Sequence, residues 1–357
     1  MSNQLLINLS LLIPEPTGIS IYANNILPQL QHLKPTLLVA EEISNFNCHL
    51  VPNNMTPAQG TKGHLRRLLW TQFKLPKIYN KLQANLLFSP LPEAPLYSQC
   101  RYIVMTHDLI PLRFSRPGSR LTAYFKYYIP QVLAKAEHII CNSQATAKDI
   151  TEFFKIPSEK ITPIPLGYDS QRFQFLDLPT KNYFLYLGRH DHYKNLHRLI
   201  EAFADLPNFS EYELWLAGPI DNVYTPQLKT QVKELGLNNF VKFLDYIPAA
   251  ELTVIINQAI ALVFPSLWEG FGFPVLEAMA CGTPVITSNI SSMPEVAGDA
   301  AILVNPKTVG EITEAMTTLA NDATERSHLR NLSLARAKEF SWQKTGLATS
   351  KIIQRYI

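Results

Sequence analysis

The 357-residue chain has little cysteine, and Cys48, Cys100, Cys141 and Cys281 stand far apart with no paired Cys or Cys/His spacing. That argues against a disulfide framework and a zinc ribbon, and it fits thiols in the core of a protein from a reducing compartment. Long unbroken apolar runs are missing too. Leu252–Trp268 is the most apolar long stretch, and Asn257, Gln258, Pro265 and Ser266 interrupt it, so no transmembrane helix is expected. No Lys or Arg precedes Lys34, so the apolar start Gln4–Ile13 lacks the positive flank of a secretory signal. A cytoplasmic protein is expected. No carboxylate pair of the Asp-x-Asp kind occurs, which disfavours a bound metal despite the run His190-Asp191-His192. Repeats and low-complexity tracts are absent.

What is present describes a folded α/β protein. Apolar residues make up 46% and charged residues 17%, outside the range of a disordered chain. The net charge of +3 is unevenly spread: residues 1–170 carry 16 Lys+Arg against 10 Asp+Glu, and residues 171–357 carry 16 against 19. The basic half is the one expected to meet something anionic.

Strand-like and helix-like patterns alternate from Leu5–Leu12 through Gly18–Gln31, Thr36–Ala40, Leu86–Ser89 and Tyr102–Met105. They continue through a long helix ending near Glu137, then His138–Cys141, Thr146–Phe154 and Ile161–Ile164. A second series runs from Tyr183–Leu187 to Leu303. Alternation of this kind predicts doubly wound parallel sheets, hence two Rossmann-like domains facing each other across a cleft. Pro163, Pro165 and Gly167, with the polar stretch to Lys181, mark the boundary. The expected domains are residues 1–167 and 182–340, with an amphipathic C-terminal helix over 341–357.

The chain is organised around Phe264-Pro-Ser-Leu-Trp-Glu269-Gly-Phe-Gly-Phe-Pro-Val-Leu-Glu277. A buried strand over Ala259–Phe264 is followed by a turn holding Gly270 and Gly272. Pro274 then opens a helix that closes at Gly282. Ligands of such strand–loop–helix units sit at the strand's carboxyl end. Unshielded peptide N–H groups beside a helix start suit phosphate or sugar oxygens. Glu269 is either a solvated loop charge or a ligand group. Glu277, placed by Pro274 in the opening helical turn, is either a helix-start carboxylate favoured by the dipole or a ligand group.

Other strand ends carry chemistry as well. Pro14-Glu-Pro16-Thr17-Gly18 is a glycine turn before a helix, a plain βα turn or a second anion site. Thr106-His107-Asp108 ends a strand with either a packed polar pair or a site histidine. In Leu187-Gly188-Arg189-His-Asp-His-Tyr-Lys194-Asn195, four residues separate two cations that suit a diphosphate, Arg as a fork and Lys as a point charge. Neither Gly18 nor Gly270-Phe271-Gly272 completes a dinucleotide fingerprint, so a nicotinamide oxidoreductase is poorly supported.

Over Lys62–Leu75 a helical wheel gathers Lys62, Arg66, Arg67, Trp70 and Lys74 on one side and Leu65, Leu68, Leu69 and Leu75 on the other. No Asp or Glu lies between Glu42 and Glu93. The basic side is either an ordinary solvated face or a contact for an anionic membrane surface, which would make the protein peripheral at the cytoplasmic face. Nucleic acid is not expected, because no nucleic-acid-binding motif accompanies the charge.

The Glu269–seven residues–Glu277 string closely resembles the motif of retaining glycosyltransferase family 4. The flanks Pro265-Ser266, Leu276-Glu-Ala-Met-Ala-Cys-Gly-Thr-Pro-Val285 and Met293-Pro-Glu-Val-Ala-Gly298 agree. The resemblance runs from Gly18 through Trp342. It implies the GT-B fold, with the C-terminal helix crossing back to the first domain, and metal-independent transfer of a hexose from a nucleotide-diphospho sugar without a further cofactor. It implies that Arg189 and Lys194 neutralise the departing diphosphate and that Glu277 holds the nucleotide ribose. Glu269 and the backbone of Phe271, Gly272 and Phe273 would orient the sugar, with Gly18 near the diphosphate and His107 facing the transferred sugar. Pro284–Ala300 looks most like bacterial mannosyltransferases of O-antigen or exopolysaccharide synthesis, a lean toward GDP-mannose and a glycan or lipid-linked acceptor. Two rivals stay open: a carbohydrate-cleaving enzyme using Glu269 and Glu277, and a non-catalytic sugar or partner binder on the same fold.

Overall fold

The computed structural model describes residues 4–12, 18–115, 118–245 and 247–357. They form two compact units, one of Met1–Gly167 with Trp342–Ile357 and one of Tyr168–Ser341. The first holds seven parallel strands: β1 (Leu5–Asn8), β2 (Thr36–Val39), β3 (Asn47–Leu50), β4 (Leu86–Ser89), β5 (Tyr102–Thr106), β6 (His138–Cys141) and β7 (Ile161–Pro163). Their order is β3-β2-β1-β4-β5-β6-β7. The second holds β8 (Tyr183–Leu187), β9 (Glu213–Ala217), β10 (Val241–Leu244), β11 (Ala261–Phe264), β12 (Val285–Ser288) and β13 (Ile302–Val304), in the order β10-β9-β8-β11-β12-β13.

Each sheet is the doubly wound kind that the alternation predicts. In β1, β4, β5, β6, β8, β11 and β12 every residue is buried, as in a parallel sheet covered on both faces. Strand order reverses between β1 and β4 in one sheet and between β8 and β11 in the other, giving each unit a switch point where the carboxyl ends open into a crevice.

The C-terminal helix Trp342–Gln354 belongs to the first unit. Thr345 Oγ1 donates to the Pro165 carbonyl at 2.8 Å, Gln354 Nε2 meets His32 at 2.8 Å, and the Tyr356 hydroxyl meets His138 Nδ1 at 3.1 Å. Residues 168–181, which read as a polar boundary, lie in the second unit. Asn257 fixes them by donating to the Gln174 carbonyl and accepting from the Leu176 N–H.

Three local expectations are corrected. The long helix ending near Glu137 is two helices, Arg120–Tyr127 and Ile129–Lys135, because Pro130 has no N–H to donate and its ring crowds the preceding turn. Strand β3 was not expected: it is a four-residue edge strand whose Leu50 faces water, so burial leaves no alternating pattern. The helix Gly60–Phe73 is rotated from the wheel reading, which holds for the exposed Lys62, Arg66 and Lys74 and for the buried Leu75 but fails elsewhere. Arg67 and Trp70 are buried, while Leu65, Leu69 and Phe73 are exposed.

Glu93 causes that rotation. Its carboxylate is almost fully buried and takes Arg67 as a two-pronged partner, Nε at 2.7 Å and Nη2 at 2.8 Å. Tyr124 Oη donates to Glu93 at 2.9 Å, and Arg67 Nη1 reaches the Met55 carbonyl at 3.2 Å. A wheel sorts residues by type alone, and the buried carboxylate outweighs the preference of arginine for water.

Breaking this pair from one side leaves a buried charge uncompensated, so Arg67→Met should cost about 3–5 kcal/mol. The exposed neighbour change Arg66→Gln should stay within about 0.5 kcal/mol. The double change Arg67→Met with Glu93→Leu should recover part of the loss. Urea unfolding of the four proteins checks the order, and equal midpoints for the two single variants would contradict the assignment.

Candidate functional site

The second unit's switch point lies between the ends of β8 and β11. The apolar run Tyr183–Leu187 delivers the chain to Gly188, whose backbone meets that of Gly218 at the end of β9. A Cβ on Gly218 would stand 2.2 Å from the Gly188 carbonyl oxygen, so only glycine allows the approach. The loop after Gly188 turns through Asn195, which adopts a left-handed conformation at φ +65°. Its buried side-chain amide donates to the carbonyls of Pro265 at 3.0 Å and Pro306 at 2.6 Å. Leu267 N–H donates to the Tyr193 carbonyl at 2.8 Å. These bonds tie the loop after β8 to the loop after β11.

The tie brings Lys194 to Glu269. Their charged groups meet at 2.5 Å, with only about a tenth of either side chain exposed. Lys194 Nζ also lies 5.2 Å from the centre of the Phe264 ring. Arg189 behaves differently. Its side chain is 63% exposed and leans on Asp191 at 3.3 Å, while the Tyr186 hydroxyl holds its carbonyl at 2.9 Å. Lys194 is therefore a mostly buried, paired cation and Arg189 an exposed one.

The Glu269–Phe273 loop is braced by serines that the sequence reading did not single out. Ser292 Oγ donates to the carbonyls of Glu269 and Phe271 at 3.0 and 2.9 Å, and the Glu269 N–H donates to Ser291 Oγ at 3.2 Å. Gly272 caps the helix Phe273–Ala280 at φ +105°, where a Cβ would meet Met293 Cε at 2.3 Å. Phe271 points into the core against Phe273 and Phe340, leaving its backbone to line the loop.

Glu277 is the fifth residue of that helix and not in the opening turn, because the helix starts at Phe273, one residue before Pro274. It is half-buried, with Gly188, Gly218, Pro219, Asp245 and Pro274, on a cavity of about 260 Å³. Desolvation pushes its carboxyl up to about 7, Arg172 opposing and Asp169 adding to the shift. Burial is the largest cause, and at the fifth helical position the carboxyl has lost the support of the helix N-terminus that the opening turn would give. Arg172 and Asp169 sit in the stretch first read as boundary; only their charge in an otherwise neutral turn hints at a role. Gly218-Pro219 and Asp245 follow β9 and β10, so a systematic search of strand ends could have found them.

In the first unit, His107 follows β5 and is half-buried. Nε2–H donates to the Pro90 carbonyl at 2.9 Å, which leaves Nδ1 as the acceptor nitrogen. Burial lowers its pKa to about 4, so the ring is neutral at physiological pH. Asp108 turns away to accept from the Ile110 N–H at 3.0 Å. Beside His107, the side chains of Asn8, Ser89 and Thr106 end the adjacent strands β1, β4 and β5. Each is fully buried, and Asn8 Nδ2, Ser89 Oγ and Thr106 Oγ1 have no hydrogen-bond partner among the described residues. Gly18 opens the helix Gly18–Leu30; the glycine-turn residues Pro14–Thr17 before it lie outside the described residues. Among the described residues, no three His, Cys, Asp or Glu side chains converge as a metal site would require.

Comparison with known proteins gives these sites a context. Residues 168–333 match the family described as Glycosyl transferases group 1, and residues 18–172 match Glycosyltransferase Family 4. The O-antigen chain mannosyltransferase B of Escherichia coli is 30% identical over 247 residues, covering 65% of this chain and 64% of that protein. The chain spans less than two thirds of the length of the curated relatives it matches. Sucrose-phosphate synthase from Thermosynechococcus elongatus has the same fold, with a TM-score of 0.77 at 19% identity over 99% of this chain and 98% of that one. Anabaena HepE, solved with UDP and glucose, gives 0.76 at 18% identity over 99% of both chains. With each half matched in sequence and the two parallel sheets matched in shape, the chain belongs to glycosyltransferase family 4 and has the GT-B fold.

Proposed function

We propose that the chain is a retaining, metal-independent hexosyltransferase that moves mannose from a nucleotide-diphospho sugar, GDP-mannose by preference, to a glycan or lipid-linked acceptor. The observation that carries this reading is the Lys194–Glu269 pair held at the switch point of the second unit. The name of the Escherichia coli relative favours mannose, and the UDP bound to Anabaena HepE favours a nucleotide diphosphate as leaving group. Transfer takes place on the cytoplasmic side, with the protein peripheral at the membrane. No helix among the described residues is long and apolar enough to cross one.

In this mechanism the acceptor hydroxyl bonds to the anomeric carbon on the face from which the diphosphate leaves. The bonding pair of the breaking carbon–oxygen bond goes to the phosphate oxygen, which then takes the hydroxyl proton. Charge accumulates on the diphosphate, so fixed cations there lower the barrier without reorganising. An ammonium has three donors, and the Glu269 contact uses one of Lys194's. Glu269 holds Lys194 in place and shares its remaining acceptor capacity with the sugar. Arg189 closes on the diphosphate as a fork. Glu277 accepts the ribose hydroxyls in the cavity beside Gly188 and Gly218. His107, neutral, accepts from a sugar hydroxyl through Nδ1, and Gly18 serves the donor phosphate. Cleavage of a glycoside by Glu269 and Glu277 would leave the cations with no anion to stabilise.

Removing either cation should reduce turnover about a hundred- to a thousandfold, the effect of losing one preorganised donor to a developing anion. Arg189→Ala should melt like wild type, since its side chain is mostly in water, whereas Lys194→Ala should also lose stability by leaving Glu269 unpaired. Release of nucleotide from GDP-, UDP- and ADP-sugars is the assay. Full activity in both variants, or glycoside cleavage without any nucleotide, would refute the transferase reading.

The pKa of Glu277 makes a second test. Only the carboxylate accepts both ribose hydroxyls, so nucleotide affinity should rise as pH passes through about 7 and then level. Glu277→Gln should bind about tenfold more weakly at pH 8 and vary little across that range, because charge-assisted bonds are about twice as strong as neutral ones. Stability should move the opposite way. The folded state keeps a proton that the unfolded chain releases above about 4.5, so the free protein loses stability as pH rises through about 7. Relative to wild type, Glu277→Gln should therefore gain more in melting temperature at pH 8 than at pH 5. A constant difference would show that the carboxyl is not shifted.

A further inference from the structure

The first unit turns an unusual surface outward. On the helix Gly60–Phe73, Leu65, Leu69 and Phe73 are 58%, 51% and 66% exposed and follow one another at four-residue intervals, one stripe along the helix. At about 100° per residue, Lys62 and Arg66 fall within and beside that stripe, and both are exposed. The adjoining helix Arg120–Tyr127 extends the surface with exposed Leu121, Tyr127, Arg120 and Lys126. The two helices are packed together: the His64 and Tyr124 rings meet edge to face at 4.9 Å, and Gln72 Nε2 lies 3.0 Å from the Tyr128 hydroxyl.

The formal charges on these two helices are of one sign. Residues 43–136 carry 12 Lys+Arg and only two acids, Glu93 and Asp108. Glu93 is buried on Arg67, and Asp108 is half-buried and accepts from the Ile110 N–H. An apolar stripe with cations on its borders matches a leaflet that offers hydrocarbon below and negative headgroups above. Long cationic side chains reach the headgroups while their stems stay with the apolar residues. A second copy of this chain is a poor occupant, since the face would meet its own positive charge.

We infer that the helix Gly60–Phe73, with its neighbour Arg120–Tyr127, is an interfacial anchor that lays Leu65, Leu69 and Phe73 into an anionic lipid leaflet. The anchor gives the peripheral placement proposed above a physical basis and is independent of which sugar is transferred. It differs from a purely electrostatic contact because apolar side chains enter the bilayer, so salt weakens the attachment without abolishing it.

The test is co-sedimentation of the full chain with vesicles of phosphatidylcholine alone and of equal parts phosphatidylcholine and phosphatidylglycerol, at low and high salt and without nucleotide sugar. Wild type should bind the anionic vesicles and scarcely bind the neutral ones. Lys62→Gln with Arg66→Gln should lower the partition coefficient about fivefold per residue removed from the surface. Leu65→Ser with Leu69→Ser and Phe73→Ser should lower it at least tenfold at either salt. Should that triple variant fail to fold, the single change Phe73→Trp replaces it: its added emission should shift to the blue on anionic vesicles and be quenched by brominated lipid. Binding by the apolar variant equal to wild type, or no quenching, would overturn insertion. Failure of wild type to bind, or concentration-dependent self-association abolished by the apolar substitutions, would overturn the lipid assignment. A melting shift with GDP or UDP, read on the same proteins, reports the donor site separately, so loss of one property does not count against the other.

Discussion

A parallel sheet covered on both faces has no place for polar side chains except at its strand ends. Both sheets of this protein obey that constraint. The strands β1, β4, β5, β6, β8, β11 and β12 are wholly buried, and Asn8, Ser89, Thr106 and His107 gather at the carboxyl edge of one sheet. At the edge of the other stand Arg189, Lys194 and Glu269. The polar chemistry therefore follows from the packing, because at the switch points the helices diverge and leave room for a ligand. Asn195 converts this general tendency into a particular site: one amide bonds two carbonyls from two other strand ends and so fixes the loop that carries Lys194.

The two carboxylates of the motif end in opposite electrostatic situations. Glu269 has a lysine at 2.5 Å, while Glu277 faces a cavity whose desolvation outweighs the pull of Arg172. One is a structural counter-charge before any ligand arrives, and the other is half-protonated near neutral pH. A pair of acids equal in sequence thus divides into a positioner and an acceptor that a bound sugar nucleotide would keep ionised.

The fold was legible because fully apolar four- and five-residue runs separated by helical periodicity have one economical solution, and the glycine loops of the second unit were legible because they interrupt those runs. Contacts between distant segments were not. Lys194 and Glu269 are 75 residues apart, and nothing local in either stretch announces the other. The rotation of the helix Gly60–Phe73 has the same origin: Glu93, 26 residues beyond Arg67, draws that arginine inside. Pro130 was visible as a helix breaker, yet the periodicity on either side concealed the break. Arg172 was passed over because its segment is polar and short of periodic residues, features shared by linkers and by chains pinned through their backbone, as Asn257 pins this one.

The charge asymmetry between the halves takes on a physical meaning once burial is known. The half given the anionic donor carries the negative net charge, 16 Lys+Arg against 19 Asp+Glu over residues 171–357. Net charge does not decide the matter, because in salt near the physiological level fields fade over about 8 Å. At the proposed donor site the cations Lys194 and Arg189 stand beside their own counter-charges Glu269 and Asp191, and the positive end of the helix Phe273–Ala280 adds to the local field. The basic half works the other way round. Its cations are spread along exposed helix faces, where a leaflet presents many negative groups at once and each contact adds a small, screened increment. Concentrated charge in a dry crevice and dispersed charge on a wet face answer two different recognition problems, and this chain solves each in a separate unit.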